Sequence, residues 1–222
     1  MAPARFIAFT FISLPAASQE SLDAHPSQAA LGYEASPGDI RFKDMNGDGV
    51  IDENDKTNIG DPIPASVMGL NFTLAYKGFD LLVYTYASVG NDIVRNYERA
   101  QPNVNRLRTS LDRWTGAGTS DFEPRLTTAA TTNTIFSDYY VENGSYFRIQ
   151  RLQLGYTIPE ETTKKIRIQM LKFFVAVSNL YTFTKYLGYD PAASSGAPIG
   201  SGFDDGFYPP ARTYTFGISL NI

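Results

Sequence analysis

Five segments of the chain alternate between apolar residues and polar or small ones, which is the pattern of β-strands with two unlike faces. They are Ser66–Tyr76, Phe79–Val89, Tyr146–Thr157, Leu171–Leu180 and Thr213–Ile222. The last is the most regular, because every second residue from Tyr214 to Ile222 is apolar and those between are Thr, Gly, Ser or Asn. The pattern predicts an all-β fold of antiparallel strands.

The connections between these segments differ greatly in length. Lys77–Gly78 forms a hairpin turn and Ile158–Arg167 a moderate turn, whereas 90–145 and 181–212 are long loops. Short turns at one end of the strands and long loops at the other are typical of a transmembrane β-barrel wall. A soluble β-sandwich is the alternative, since its strands alternate in the same way.

The first long loop contains one stretch with helical spacing. Val104, Leu107, Leu111 and Trp114 fall on one stripe, with Asn103 as a candidate cap and Gly116 as a stop, which predicts one short loop helix. Five arginines lie around it, and their expected place is its solvated side. They are Arg95, Arg99, Arg106, Arg108 and Arg113.

Composition narrows the classes of function. The formal net charge is −4, so a basic surface for nucleic acid is not expected. The chain has no Cys, which excludes disulfides and thiol chemistry. No apolar run approaches the roughly 18 residues of a membrane-spanning helix.

The first 17 residues form a segment of their own. A single arginine precedes an apolar stretch from Phe6 to Ala17, so 1–17 is either signal-like or a misassigned start within a longer reading frame. Residues 18–65 follow as a second segment, and 66–222 carry the predicted strands.

The segment 18–65 contains an acidic, glycine-containing loop, "DMNGDGVIDENDK", from Asp44 to Lys56. Its spacing follows the EF-hand calcium pattern, in which oxygen ligands occupy positions 1, 3, 5, 7, 9 and 12 and glycine occupies position 6. A loop of Asx turns that binds no metal is the alternative. The candidate Ca²⁺ ligands are Asp44, Asn46, Asp48, Val50 through its carbonyl, Asp52 and Asp55.

Catalytic motifs are thin in this sequence. It lacks a nucleophile elbow, a phosphate-binding loop and a dinucleotide-binding glycine pattern. Asp204 and Asp205 are the one candidate acid and base pair, and solvated turn residues are the simpler interpretation. We therefore do not expect an enzyme.

Six stretches, in order, resemble the C-terminal end of the SusC/RagA family of TonB-linked outer-membrane proteins. They are "PGDIRFKDMNGDGVIDENDKTNIGDPIP", "YKGFDLLVYTYASVGNDI", "RWTGAGTSDFEPR", "YVENGSYFRIQRLQLGYTIP", "VSNLYTFTKYLGYDP" and "YPPARTYTFGISLNI". The resemblance implies a barrel of about 22 strands around an N-terminal plug. It also implies import of glycan or peptide fragments with a SusD-like lipoprotein as the lid.

Five strands are too few to close such a barrel, so the resemblance implies the C-terminal part of one. The plug and the segment that engages the TonB complex would lie outside these residues, and we expect the chain to be inactive alone. The expected partners are the SusD-like lipoprotein, TonB through that missing part, outer-membrane lipid and, through Thr213–Ile222, the barrel-assembly machinery.

Strand parity predicts the side of the membrane for each loop. If the last strand ends in the periplasm, 181–212, 90–145 and the segment before Ser66 are all extracellular, and the acidic loop lies outside the cell. A secreted calcium-binding adhesion or dockerin-like module is the alternative function, although that class usually carries two copies of the acidic loop.

Overall fold

The computed structural model describes residues 5–12, 18–97, 105–164, 167–192 and 202–221. In chain order the strands and α-helices are β1 Phe6–Ala8, β2 Phe11–Ile12, α1 Gln19–Asp23, β3 Arg41–Phe42, β4 Thr57–Gly60, β5 Ser66–Tyr76, β6 Phe79–Val89, β7 Asp92–Arg95, β8 Val141–Asn143, β9 Tyr146–Thr157, α2 Glu160–Thr163, β10 Met170–Thr184, β11 Phe203–Asp204 and β12 Thr213–Asn221. Short 3₁₀ turns occupy Ala29–Leu31, Glu53–Asp55, Arg108–Asp112, Thr132–Thr134 and Asp138–Tyr140. Within the described ranges, every helix is too short or too polar to cross a bilayer.

The chain divides into two compact units. The loop unit comprises 1–63, 92–142 and 194–206, and the sheet unit comprises 64–91, 143–193 and 207–222. Most of the loop 90–145 and a smaller part of the loop 181–212 therefore belong to the same unit as the N-terminal segment. The division predicted from the sequence, into 1–17, 18–65 and 66–222, stays a prediction.

The sheet unit is one antiparallel sheet in the order β12-β10-β9-β6-β5, which confirms the predicted all-β antiparallel fold. β5, β6 and β9 have the predicted bounds, and β10 is longer at both ends. β12 begins at Thr213 as predicted, and Ile222 lies outside the described residues.

The turn between β5 and β6 follows from its two residues. Lys77 and Gly78 have φ angles of 48° and 89°, as the central residues of a type I′ turn require. This turn matches the twist of the flanking strands and fixes their register, with Tyr76 opposite Phe79.

A bulge in β9 keeps its apolar residues on one side of the sheet. The pairing of β9 with β6 shifts between Ile149 and Arg151, which leaves Gln150 as the extra residue of β9. Against β10 the extra residue is on β10, where Asn179 and Leu180 stand opposite Gln150. The sequence has two consecutive polar residues at this point, and without the bulge Ile149 and Phe147 would face the other way.

Register places most of the apolar strand residues on one face, which we call the apolar face. Its members are Met68, Leu70, Phe72, Leu74 and Tyr76 of β5; Phe79, Leu81, Val83, Thr85 and Ala87 of β6; Phe147, Ile149, Leu152, Leu154 and Tyr156 of β9; Leu171, Phe173, Val175, Val177, Tyr181 and Phe183 of β10; and Tyr214, Phe216, Ile218 and Leu220 of β12. Thr85 is the one residue among them with an aliphatic hydroxyl, and it donates to the carbonyl of Leu70. The apolar face is therefore continuous over five strands.

The opposite face, which we call the polar face, carries mainly charged, hydroxyl and small residues, with a few large apolar ones such as Leu82 and Phe174. Lys172 Nζ lies 2.7 Å from Asp80 Oδ1. The pair occupies the space beside Gly155, where a Cβ atom would come within 2.5 Å of the Asp80 carboxylate. The absence of a side chain at position 155 thus leaves room for an ion pair across three strands.

The loop unit has its own small core, formed by Phe9, Ile40, Phe42, Ile51 and Tyr139. The signal-like stretch contributes to it, since β1 pairs with β4 and β2 pairs with β3. The predicted loop helix is the 3₁₀ turn Arg108–Asp112, which contains Leu111. Five residues are too few for a stable α-helix, and Asn103 and Val104 lie outside the described residues.

Candidate functional site

Two rows of aromatic side chains border the apolar face. At the end nearest the Lys77–Gly78 turn, the row comprises Tyr76, Phe79, Tyr156 and Phe173, each paired with the next across neighbouring strands. At the other end, the ring centroids of Phe147 and Phe183 lie 6.0 Å apart. The apolar face is thus bounded by aromatic rings at both ends.

The spacing of the two rows matches a bilayer. Phe173 and Phe183 belong to opposite rows on β10, and ten residue steps correspond to about 33 Å along a strand. At a strand tilt of about 40° the height is about 25 Å, which is the height of the apolar band of an outer-membrane barrel.

The apolar face is open. Phe216 is 77% exposed, and Leu70 and Ile218 are each 67% exposed. Soluble proteins rarely expose contiguous apolar patches larger than a few hundred Å². A face of this extent fits contact with lipid, which needs no hydrogen bonds from the side chains that it covers.

The polar face holds a buried ion pair that no sequence motif indicated. Arg148 Nη2 donates to Asp190 Oδ1 at 2.5 Å, and Arg148 Nε donates to Thr182 Oγ1 at 2.8 Å. Its guanidinium also lies over the ring of Tyr146, 5.2 Å from the centroid. A pair so far apart in the chain leaves no spacing signal, although a charged residue within an apolar strand is a hint.

The acidic loop of the loop unit is held by its own carboxylates. Asp44 accepts hydrogen bonds from the backbone N–H groups of Gly47 and Gly49, at 2.6 and 2.9 Å. Asp48 Oδ1 accepts from Val50 N at 2.9 Å. Gly47 and Gly49 have φ angles of 77° and 84°, which favour glycine. The sequence "NGDG" is therefore required by the backbone path of the loop.

Asp55 closes the loop from within. It is fully buried, and its two oxygens accept from the backbone N–H groups of Met45, Asn46 and Asp52. Burial alone would raise the pKa of Asp55, but these three donors outweigh it, so the pKa lies below the usual value of 3.8. Asp55 is a structural carboxylate in this arrangement.

Two of the predicted Ca²⁺ ligands, Asp52 and Asp55, make hydrogen bonds to the backbone of the loop. Asp52 caps the 3₁₀ turn at Glu53–Asp55 by accepting from Asn54 N, and Asp55 faces backbone donors. Among the described residues, three or more His, Cys, Asp or Glu side chains do not gather as metal ligands anywhere. Ca²⁺ binding by the six predicted ligands stays a prediction.

Two arginines are built into the loop unit. Arg125 binds Asp39 through two hydrogen bonds of 2.7 and 2.9 Å, and these bonds raise its pKa. Arg95 is 3% exposed, donates to the carbonyl of Tyr139 and lies 3.6 Å from Glu142. The expectation of a solvated side chain is wrong for Arg95, because β7 places it in the interior.

Asp204 and Asp205 do not share an environment. Asp204 is fully buried in β11 and accepts from Gly206 N at 2.9 Å, whereas Asp205 accepts from the side chain of Asn96 at 2.7 Å. The interpretation as solvated turn residues therefore fits the exposed Asp205 and is wrong for Asp204, which β11 places in the interior.

Comparison with known proteins gives a consistent result, although the search for a family model found no match. The chain is 35% identical over 203 residues to TonB-dependent receptor P3 of Formosa agariphila, which covers 87% of this chain and 20% of that protein. It is 28% identical over 199 residues to TonB-dependent receptor SusC of Bacteroides thetaiotaomicron, covering 88% of this chain and 19% of SusC. The chain thus spans about a fifth of the length of these curated relatives.

A solved structure shares the fold. The RagAB peptide transporter superposes with a TM-score of 0.74 over 98% of this chain and 22% of the transporter chain, at 21% sequence identity. The open-open state of the RagAB peptide importer gives a TM-score of 0.73 over 99% of this chain and 22% of that chain, also at 21% identity. The fold is therefore that of a segment of an outer-membrane barrel.

The chain belongs to the SusC/RagA family of TonB-dependent receptors, which are outer-membrane proteins. The relatives are named as receptors and the solved structures as a peptide transporter and importer, so the enzyme class has no support from them.

Proposed function

We propose that the chain forms part of the barrel wall and extracellular surface of a TonB-dependent importer of glycan or peptide fragments. The observation that carries the proposal is the apolar face, which is continuous over β5, β6, β9, β10 and β12 and bordered by aromatic rows about 25 Å apart. Its partner phase is outer-membrane lipid.

The polar face supports the second half of the proposal. It is rich in hydroxyl, amide and charged side chains, including Arg148, Arg151 and the Asp80–Lys172 pair. A wall with lipid on one side and a hydrated interior on the other needs this combination. The interior is where cargo crosses the membrane.

Chain connectivity supports an extracellular loop unit. Neighbouring strands of the sheet run antiparallel, so the segment before β5, the loop from β6 to β9 and the loop from β10 to β12 leave the sheet at the same end. The loop unit is drawn from parts of these three segments. The short Lys77–Gly78 turn lies at the other end, the periplasmic side in this proposal.

The partners follow from the family. A SusD-like lipoprotein would meet the importer on its extracellular side, and energy would come from the TonB complex through parts of the receptor outside these 222 residues. β12 would present its alternating apolar residues to the barrel-assembly machinery. The chain alone is proposed to be inactive in transport.

Adjacent positions on β12 provide the test. Phe216→Arg puts a charge on the apolar face, at an expected cost of about 2–4 kcal/mol near the bilayer midplane, whereas Thr215→Arg puts the same charge on the polar face. In cells that express the receptor containing this chain, we expect Phe216→Arg to lower the amount of receptor in the outer membrane and the uptake of labelled oligosaccharides or peptides. Thr215→Arg should leave the amount unchanged. Equal amounts of both variants, or greater loss with Thr215→Arg, would refute the proposal.

A further inference from the structure

The loop unit contains a cavity of about 190 Å³ between β7, the 3₁₀ turn Arg108–Asp112 and the segment 123–140. Among the described residues that line it, four are arginines and one, Glu123, is acidic. The arginines are Arg95, Arg106, Arg113 and Arg125. In a chain of net charge −4, this concentration of positive charge is local and needs an explanation.

Two of the four arginines are held by carboxylates and form one wall of the cavity. Arg125 forms an ion pair with Asp39, and Arg95 lies 3.6 Å from Glu142. The guanidinium of Arg95 also lies 4.7 Å from the centroid of the Tyr139 ring. Since Asp39 and Glu142 neutralise much of these two charges, this wall supplies shape and an aromatic surface more than charge.

The other two arginines keep donors for a ligand. Arg113 donates one hydrogen bond, from Nη1 to the carbonyl of Ser110 at 3.3 Å, and within the described residues neither Arg113 nor Arg106 has a carboxylate partner. Arg106 is exposed at the mouth. A guanidinium presents its donors in a planar fork that matches a carboxylate.

Glu123 does not cancel this charge. Its Oε2 accepts from the hydroxyl of Tyr139 at 2.8 Å, which directs that oxygen towards the aromatic wall. With Asp39, Glu142 and Glu123 set against four arginines, an excess of positive charge remains. The cavity is also smaller than the 300–1,000 Å³ or so of a drug-sized ligand site, so it suits a single residue of a longer cargo.

We propose that this cavity binds one carboxylate-bearing unit of an anionic cargo, with Arg106 and Arg113 on the carboxylate and Tyr139 and Tyr140 beside the body of the unit. The cargo role rests on the proposed function, in which the loop unit faces the cell exterior. Carboxylates of this size occur as uronic acid residues and as peptide C-termini, and both offer the same planar anion.

The single Trp of the chain provides a probe of binding. Trp114 follows Arg113, and its backbone N–H donates to the carbonyl of Glu123 at 3.0 Å. Its ring packs on Gly38, where a Cβ atom would come within 2.3 Å of it. A ligand that moves Arg113 or Glu123 should therefore change the fluorescence of Trp114.

The experiment is a Trp fluorescence titration of the full chain in detergent micelles, after cooperative unfolding has been verified. The probes are galacturonate against galactose, and diglycine against diglycine amide. We expect saturable binding of one carboxylate probe, and at least roughly tenfold weaker binding to Arg106→Gln/Arg113→Gln. The better carboxylate probe identifies the source of the anion. Arg108→Gln is the matched control. Arg108 is exposed on the 3₁₀ turn that separates Arg106 from Arg113, and it is not among the residues that line the cavity.

Two results would overturn the inference. One is the absence of saturable binding of either carboxylate to a cooperatively folded chain. The other is a lack of specificity, seen as equal binding of the neutral probes or as equal loss with Arg108→Gln. Both leave the proposed import function untouched, because that function is tested by membrane insertion and uptake. Conversely, carboxylate binding could be found while the Phe216→Arg test refutes the import proposal. In that case the binding site would stand, but it would have no role in import.

Discussion

The ring of Phe174 lies over Gly217 on the polar face, where β10 and β12 pair. A Cβ atom on Gly217 would come within 2.3 Å of the ring, so the last strand of the sheet packs against its neighbour only because position 217 has no side chain. The alternation of β12 alone shows which residues share a face, but this contact decides which small residue is required.

Gly217→Ala should therefore destabilise the sheet. Displacing the Phe174 ring from a packed position costs about 1–3 kcal/mol, which would lower the denaturant midpoint of unfolding in micelles. Gly69→Ala is the matched control, because a Cβ atom there meets only the carbonyl oxygen of Thr85, at 3.8 Å. Phe174→Ala should largely remove the cost of Gly217→Ala. Similar midpoints for the two glycine variants would contradict this packing.

Asp39 and Arg125 provide a second prediction, in the loop unit. Asp39 is fully buried and also accepts from Ser36 N and from the side chain of Asn133. Asp39→Asn removes the charge that pairs with Arg125 and turns a donor towards other donors, at a cost of about 3 kcal/mol. Glu160→Gln, which breaks the exposed pair with Lys164, should change the unfolding midpoint little. A neutral effect of Asp39→Asn would show that the pair does not hold this unit.

Asp55 predicts a dependence of stability on pH. Its pKa is lowered in the folded state, so its contribution is present above the unfolded-state value, and it is lost as the pH falls from about 5 through the folded-state pKa. The unsubstituted chain should thus lose more stability on acidification than the Asp55→Asn variant, which lacks the titrating group. Glu53→Gln, in the same 3₁₀ turn, should keep the ordinary profile. Parallel profiles for the unsubstituted chain and Asp55→Asn would contradict this role.

Calcium is tested separately from the hydrogen bonds of the loop. Asp44→Asn and Asp48→Asn will each weaken the loop without any metal, because both side chains accept backbone N–H groups. The informative quantity is the change in melting temperature between millimolar CaCl₂ and chelator, since extracellular sites bind at roughly 10⁻⁴–10⁻³ M. The sequence predicts a gain for the unsubstituted chain and none for either variant. An equal melting temperature in CaCl₂ and chelator for the unsubstituted chain would remove Ca²⁺ from the account.

The sequence predicts the sheet unit far better than the loop unit, for a physical reason. Strands such as Ser66–Tyr76 have two faces in different environments, so the polarity of each residue indicates the face on which it lies. A shift of one position in register would move every side chain of the strand to the wrong face. β10 was predicted too short, as Leu171–Leu180, whereas the strand is Met170–Thr184. In the structure Asn179 has φ of 53° and donates to the carbonyl of Ala211, while the strand continues to Thr184.

The loop unit is held by contacts that leave no periodic signal. Its strands have two to four residues, and its ion pairs join positions such as 39 and 125. The spacing of the acidic loop singled out Asp44 and Asp48 as candidate Ca²⁺ ligands, but it could not show that Asp55 is directed at backbone donors. Nor could it separate the buried Arg95 from the exposed Arg106, because burial depends on which strand a residue joins.

The central claim is that the sheet separates lipid from a hydrated interior, and single cysteines on β12 test it most directly. The chain has no native Cys, so Thr215→Cys, Phe216→Cys, Ile218→Cys and Ser219→Cys each provide one thiol. In outer membranes that contain the receptor, a water-soluble maleimide should label positions 215 and 219 and leave 216 and 218 unlabelled until detergent is added. Equal labelling of all four positions, or labelling of 216 and 218 alone, would contradict the account.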